Sequence, residues 1–284
     1  MEKEDIQKVQ DELSRKTKLV AMLAPSFVAE FDFPEIIIQL KKLGFDKVVE
    51  LTFGAKMVNR EYHKQLETSK ELMISSVCPG IVSAIQEKFP EYSKNLARID
   101  SPMIATAKIC KKIYPDHKNV FISPCYLKKI EAKSSKFVDF CITYSELTQI
   151  LKQRGIENLK IDKEQEHKVF FDKFSNEYTR IYPLAGGLSK TAHIRGVLKK
   201  EETRIIDGIV EIENFLSNPD KKIKFLDGNF CRGGCIGGPC FSKNISLQKK
   251  KKRVLAYLER AQHEDIPKGK EGLVSEARGL KFTF

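Results

Sequence analysis

Leu72-Met-Ile-Ser-Ser-Val-Cys78-Pro79-Gly80-Ile81-Val-Ser-Ala-Ile-Gln-Glu-Lys-Phe89 passes from a short apolar run through a cysteine into a helix-period segment. A continuous apolar run of this length fits a strand buried on both faces. The arrangement recurs at Asn119–Ser123, followed by Pro124-Cys125 and a lysine-rich segment. Further strand-type runs lie at Leu19–Leu23, Lys47–Leu51, Val138–Thr143, Ile206–Ile212 and Ile223–Leu226, and helix-period stretches at Glu35–Leu43, Pro102–Ile113 and Ser145–Arg154. Such alternation predicts an α/β fold with largely parallel sheets flanked by helices. The carboxyl ends of parallel strands form the crevice where ligands bind. Cys78 and Cys125, at two such ends, are therefore expected to converge. Helix N-termini starting there favour a negatively charged group. Taken singly, each cysteine reads better as a small buried hydrophobe.

The chain has 284 residues, 41% of them hydrophobic, which suits about two units of roughly 150 residues. No run approaches the roughly 18 apolar residues of a membrane helix. The amino terminus, MEKEDIQKVQDELSRKTK, is charged throughout and lacks a signal-peptide core, so a cytoplasmic protein is expected. Apolar Ile6, Val9 and Leu13 predict a short exposed helix there. Seven cysteines cannot all pair internally, and in a reducing compartment clustered thiols point to metal or catalysis. The net charge is +12, but the lysines are scattered apart from the block Lys249–Arg253, and most read as solvated faces. Residues 243–284 read as a separate basic tail, with one amphipathic helix over Lys249–Gln262, that either wraps the surface or is partly mobile.

Gly228-Asn-Phe-Cys231-Arg-Gly-Gly-Cys235-Ile-Gly-Gly-Pro-Cys240 holds five glycines in thirteen residues. Glycine lets backbone approach a ligand closely and adopt positive φ. Two cysteines spaced C-x3-C in such a loop can face one inorganic centre. A disulfide or zinc remains open, though zinc sites more often use C-x2-4-C pairs or histidines. None of His63, His117, His167, His193 and His263 lies near the loop in sequence. Thiolates without histidine favour iron–sulfur chemistry.

These segments resemble the three signature motifs of iron-only (FeFe) hydrogenases. The first, roughly T-S-C-C-P-G, compares with Ser75-Ser76-Val77-Cys78-Pro79-Gly80. The second, M-P-C-x-x-K-x-x-E, compares with Ser123-Pro124-Cys125-Tyr126-Leu127-Lys128-Lys129-Ile130-Glu131. The third, M-A-C-x-x-G-C-x-x-G-G, compares with Asn229-Phe230-Cys231-Arg232-Gly233-Gly234-Cys235-Ile236-Gly237-Gly238. Ala24-Pro25-Ser26 looks like the family's opening cluster-side turn. Leu43–Lys47, Phe53-Gly54-Ala55 and Ala185-Gly186-Gly187 extend a likeness that runs from about residue 19 to residue 240.

The resemblance implies a single H-cluster domain over 1–242, with two facing lobes (17–70 plus 181–242, and 71–180) and the cluster at their interface. Cys78, Cys125, Cys231 and Cys235 would hold a 4Fe–4S cluster, and Cys235 would bridge to a diiron unit carrying CO, cyanide and a bridging dithiolate amine. Ala24, Pro25, Ser26 and Pro124 would bound the diiron pocket. Lys128 would donate a hydrogen bond to a cyanide, and Glu131 matches a glutamate on the proton route. Ferredoxin or a similar acidic electron carrier and the hydrogenase maturation proteins are the implied partners.

The departures fall on the proton route. Val77 stands where the family has a proton-passing cysteine, and valine cannot relay a proton. Tyr62 and Gln65 replace two glutamates of that route and Ala97 a serine, while Ser123 and Asn229 replace two methionines of the pocket. Tyr62 and Ser123 are candidates for another route. Cys110 and Cys141 sit in core-like patterns, and Cys240 is unassigned. The expected function is a minimal hydrogenase, slow or sensory. The alternative is a non-catalytic relative like the cytosolic iron–sulfur assembly factors, which lack a diiron unit. A nucleic-acid-binding role has only charge behind it, without the stacking aromatics such a face uses.

Overall fold

The computed structural model describes residues 2–176, 178–241 and 244–284. Among the described residues, seven strands form two wholly parallel sheets. Strands β1 (Leu19–Leu23), β2 (Lys47–Glu50), β4 (Lys118–Ser123) and β5 (Phe140–Thr143) make the larger sheet, in the order β2-β1-β4-β5. The smaller has the order β3-β7-β6, from β3 (Met73–Ile74), β6 (Thr203–Asp207) and β7 (Phe225–Asn229). Every residue of β1 is buried, as a central parallel strand covered on both faces requires.

The helices supply those covers. They are α1 (Glu2–Ser14), α2 (Glu35–Leu43), α3 (Thr52–Thr68), α4 (Pro79–Lys88), α5 (Pro102–Ile113) and α6 (Leu127–Lys133). The rest are α7 (Tyr144–Gln153), the single turns α8 (Lys163–Glu166) and α9 (Gly187–Thr191), α10 (Ile209–Ser217) and α11 (Leu247–Ala261). One core lies where α3 and α5 back the larger sheet, around Phe53, Met57, Tyr62 and Phe121. Another fills its opposite face with Phe27, Ile36, Leu147 and Tyr257. A third, of Ile74, Ile81, Ile85, Ile212 and Leu226, belongs to the smaller sheet. Each fully buried side chain of this size contributes roughly 1.5–3 kcal/mol.

Several expectations need correction. The lobes are not divided as 17–70 plus 181–242 and 71–180, because Lys118–Ser123 and Phe140–Thr143 pair into the sheet of Leu19–Leu23. Met73–Ile74 instead pairs with Phe225-Leu226. The chain therefore leaves the larger sheet near residue 70, returns near 100, and visits the smaller sheet again over 203–229. The run Ile206–Ile212 is not one strand. Gly208, at φ +105°, ends β6 and the following residues wind into α10.

The expected boundary at residues 242 and 243 lies outside the described residues, but 244–284 is no loose tail. Val254, Tyr257 and Ala261 form the buried stripe of α11. Its partner Arg180, 1% exposed, lies 3.9 Å from the Tyr257 ring centre and pairs with Glu264 at 2.6 Å. Tyr257 Oη donates to the buried Glu50 at 2.7 Å. Near the end of the chain, Phe282 O accepts from Asp100 N at 2.8 Å. The amino-terminal helix is likewise only partly exposed, since Val9 and Leu13 are buried. Among the described residues, no helix is long and apolar enough to cross a membrane.

Candidate functional site

Four strand ends build the site. After β1 the chain turns through Ala24 into a short 3-10 helix, Pro25–Ala29. Ser26 Oγ and Tyr144 Oη lie 2.7 Å apart, and Tyr144 Oη also donates to Ala24 O at 3.2 Å, so the turn is braced from α7. After β4, Ser123 Oγ donates to Cys125 O (2.8 Å) and accepts from Cys125 N (3.0 Å), folding the backbone around Pro124. That hydroxyl is thus engaged with its own loop. Cys125 Sγ accepts backbone N–H groups of Leu127 and Lys128 as α6 begins. Beyond β3, Cys78 caps α4, with Pro79 opening the helix. After β7, Gly233 and Gly234 both take positive φ and wind Gly234–Gly237 into a 3-10 turn. A side chain on Gly234 would collide with the Pro183 carbonyl, while Cys235 N donates to that same carbonyl at 2.8 Å.

The structure brings Cys78, Cys125, Cys231 and Cys235 together as free thiols that feel one another's charge. Burial first, and then Cys78 and Cys125, push the Cys231 thiol up to about 11. Burial and the other three thiols raise Cys235 as well, and burial raises Cys125 despite its N–H donors. Negative charge is therefore costly here until a metal neutralises it. Cys235 is exposed and borders the cavity. Among the described residues, no three His, Cys, Asp or Glu side chains are placed to share a single metal ion. A 4Fe–4S cube asks for something else, one thiolate per iron.

The cavity beside Cys235 measures about 80 Å³. Ala24, Pro25, Ser26, Val77, Pro124 and Lys128 border it. Tyr182, Leu184, Leu188, Asp227 and Asn229 close the far side. Of these, Asp227 and Tyr182 escaped sequence reading. The signal for Asp227 was a carboxylate directly after the strand run Ile223–Leu226. Burial holds its carboxyl above the usual range, although Ser189 donates to it through N (2.9 Å) and Oγ (2.7 Å). Tyr182 Oη is buried without a hydrogen-bond partner.

Lys128 is the cation of this cavity. Its Nζ donates to Val77 O (3.2 Å) and Glu131 Oε2 (2.6 Å). Burial opposes its charge, but Glu131 and the thiols Cys78 and Cys235 outweigh that and raise its pKa. Glu131 itself does not line the cavity. It lies on a surface groove on the other side of Lys128, where Ser101 Oγ donates to its second oxygen. Tyr62, fully buried, accepts from Ser76 N at 2.9 Å and lies 3.1 Å from Ser76 Oγ, which donates onward to Ile99 O. Val77 and Ala97 are apolar, as the sequence dictates, and Cys110 and Cys141 are core residues. Cys240 is buried and does not border the cavity.

Fold and site together define an α/β protein of two parallel sheets whose strand ends carry four cysteines, with Cys78, Cys235 and Lys128 bordering one cavity. Residues 17–239 match the family described as iron only hydrogenase large subunit, C-terminal domain. The chain belongs to that family of iron–sulfur proteins. It is 27% identical over 260 residues to iron hydrogenase 1 of Clostridium pasteurianum, covering 72% of this chain and 44% of that protein. It is 23% identical over 217 residues to the cytosolic Fe-S cluster assembly factor NAR1 of Encephalitozoon cuniculi, covering 70% and 59%. The chain thus spans roughly half the length of these curated relatives. A variant of FeFe-hydrogenase HydA1 from Chlamydomonas reinhardtii shares the fold, with TM-score 0.68 and 17% identity over 98% of each chain.

Proposed function

We propose that Cys78, Cys125, Cys231 and Cys235 hold a 4Fe–4S cluster, and that the adjoining cavity takes the diiron unit of an H-cluster. The observation that carries this reading is that Cys235 and Lys128 border the same largely apolar cavity. The donor set fits: a soft thiolate for iron, a cation for an anionic ligand, and apolar walls formed by Ala24, Pro25 and Pro124. When bound, the group supplies the interconversion of protons and electrons with dihydrogen. Lys128 then donates a hydrogen bond to an anionic ligand on that unit, and Glu131 keeps the lysine charged and aimed. Ala24, Pro25 and Leu188 exclude bulk water.

Proton delivery is where this chain differs. Val77, which borders the cavity, carries no group that can pass a proton, and the Tyr62 hydroxyl is already bonded to Ser76. We therefore infer a slow or sensory hydrogenase, supplied with electrons by a ferredoxin-like carrier and with its diiron unit by maturation proteins. The second reading, an iron–sulfur protein without diiron chemistry, draws its support from the same interrupted route and from the likeness to NAR1. Infrared spectroscopy of the anaerobic protein, loaded with 4Fe–4S and offered a synthetic diiron azadithiolate complex, separates the two. Bands of iron-bound CO and cyanide support the hydrogenase reading. About four irons per chain with no such bands, in protein that has taken up no further iron, refutes it in favour of the second.

A further inference from the structure

Three polar side chains on one wall of the cavity have hydrogen-bonding capacity that no described residue takes up. Tyr182 Oη is buried and makes no hydrogen bond. Asp227 is 2% exposed, and both of its bonds, from Ser189 N and Oγ, fall on Oδ2, which leaves Oδ1 without a donor among the described residues. Asn229 is 8% exposed. Its backbone carbonyl accepts Gly208 N at 2.9 Å, while its side-chain amide bonds to none of the described residues. All three border the cavity. Burial first, then Tyr62, Asp227 and Cys235, hold the Tyr182 phenol well above the usual tyrosine range, so it lies within electrostatic reach of the Asp227 carboxyl.

Buried polar groups are nearly always paired, and where the protein supplies no partner an ordered water does. Such a water makes about three hydrogen bonds and requires roughly 10–15 Å³. The cavity, at about 80 Å³, has room for it. The three groups offer complementary roles, since a hydroxyl and an amide can donate or accept and the carboxyl oxygen accepts. The other polar groups there are engaged, Ser26 Oγ with Tyr144 and Lys128 Nζ with Val77 O and Glu131. The rest of the lining is largely apolar, so this wall is where a water settles.

We propose that Tyr182, Asp227 and Asn229 form a built site for one ordered water, and that this water carries protons to the bound diiron unit, supplying the O–H group the chain lacks at Val77. The first half stands on the cavity alone, and the second rests on the hydrogenase reading. Asn229 occupies the position of a family methionine, so this polar wall belongs to the chain's own residues. Passing a proton leaves the water unchanged: one O–H bond forms on its oxygen as another breaks, with solvent as the source and dihydrogen formation as the sink.

The test begins with a high-resolution crystal structure of the anaerobic protein before diiron loading. A water within hydrogen-bond distance of at least two of the three groups is expected, and it should be gone from the Tyr182→Phe, Asn229→Leu double variant. A dry wall in the native protein, or Tyr182 Oη bonded to protein, overturns the site. Melting gives a second reading. Tyr182→Phe removes one bond of a held water and should melt about 1–6 °C lower. A phenol without any partner is better replaced by phenylalanine, so melting at or above the native temperature also overturns the site. In diiron-loaded protein the double variant should keep the bands of CO and cyanide but evolve dihydrogen about 10²-fold more slowly, and adding Val77→Cys should restore the rate. Unchanged evolution in the double variant refutes the carrier role. Protein that takes up no diiron unit refutes the hydrogenase reading and the carrier role with it, while crystal structure and melting decide the water site by themselves.

Discussion

Replacing Cys125 and Cys110 by serine should produce opposite signatures. Cys125 Sγ accepts two backbone N–H groups at the start of α6 and is half-buried. A serine oxygen can keep both bonds, so fold stability should change by no more than about 0.5 kcal/mol. The cluster, however, loses one of its four thiolates, and reconstituted iron should drop sharply from about four per chain. Cys110 is fully buried in α5 among Ile109, Met103 and their neighbours. A hydroxyl there costs about 1–3 kcal/mol, partly relieved where it can bond back to the preceding helical turn. At about 2–4 °C per kcal/mol for a chain of this size, Cys110→Ser should melt roughly 2–12 °C lower. Its iron content should remain native. The assays are anaerobic reconstitution with iron determination, and calorimetry of the cluster-free proteins. Iron retained by Cys125→Ser, or lost by Cys110→Ser in protein that is still folded, would refute the ligand set.

Three further outcomes are expected. In diiron-loaded protein, Val77→Cys should raise dihydrogen evolution by up to about 10²-fold and Glu131→Gln should lower it; a native rate already equal to that of a full-relay hydrogenase contradicts the reasoning. Arg180→Met leaves the buried Glu50 without the guanidinium beside it and Glu264 with Arg260 alone, and should cost about 3–5 kcal/mol in denaturant unfolding, against under 1 kcal/mol if the network is only a surface pair. Because burial raises the Asp227 pKa in the fold, the unfolded chain ionises first as pH rises past about 4, so the folded state loses stability on that rise; Asp227→Asn should remove this slope, and an unchanged pH–stability curve would count against it.

Much of the architecture was legible because parallel strands announce themselves as short apolar runs. Leu19–Leu23 and Pro102–Ile113 fall where the pattern puts them, and the four cysteines fall at strand ends. Which strands share a sheet was not legible. Phe121 and Phe225 sit in runs of the same kind, and only the register sends one beside Leu19–Leu23 and the other beside Met73. Helix α3 was missed because Lys56, Asn59, Arg60, Glu61, His63 and Lys64 interrupt its apolar face, although Met57, Val58, Tyr62 and Leu66 are buried on it. The amphipathic helix expected over Lys249–Gln262 is α11, but its lysines hid how deeply the stripe Val254, Tyr257 and Ala261 is buried. In the site, motif spacing located the thiols and Lys128. Tyr182 and Asp227 lie in no motif, and only the closing of the second sheet brings them to the cavity wall.

The two-residue strand β3 takes its sheet bonds from β7, pairing Met73 with Phe225 and Ile74 with Leu226. A growing chain has therefore long released Cys78 and Cys125 before the strand that positions Cys231 and Cys235 exists. Pairing across such a separation is slow to form. The larger sheet can close early, once Thr143 has emerged, while the binding pocket waits for the last strand to insert. If the four cysteines hold the proposed cluster, metal delivery is a late event in the life of the polypeptide, and the iron content of a preparation should report how much of it has completed the smaller sheet.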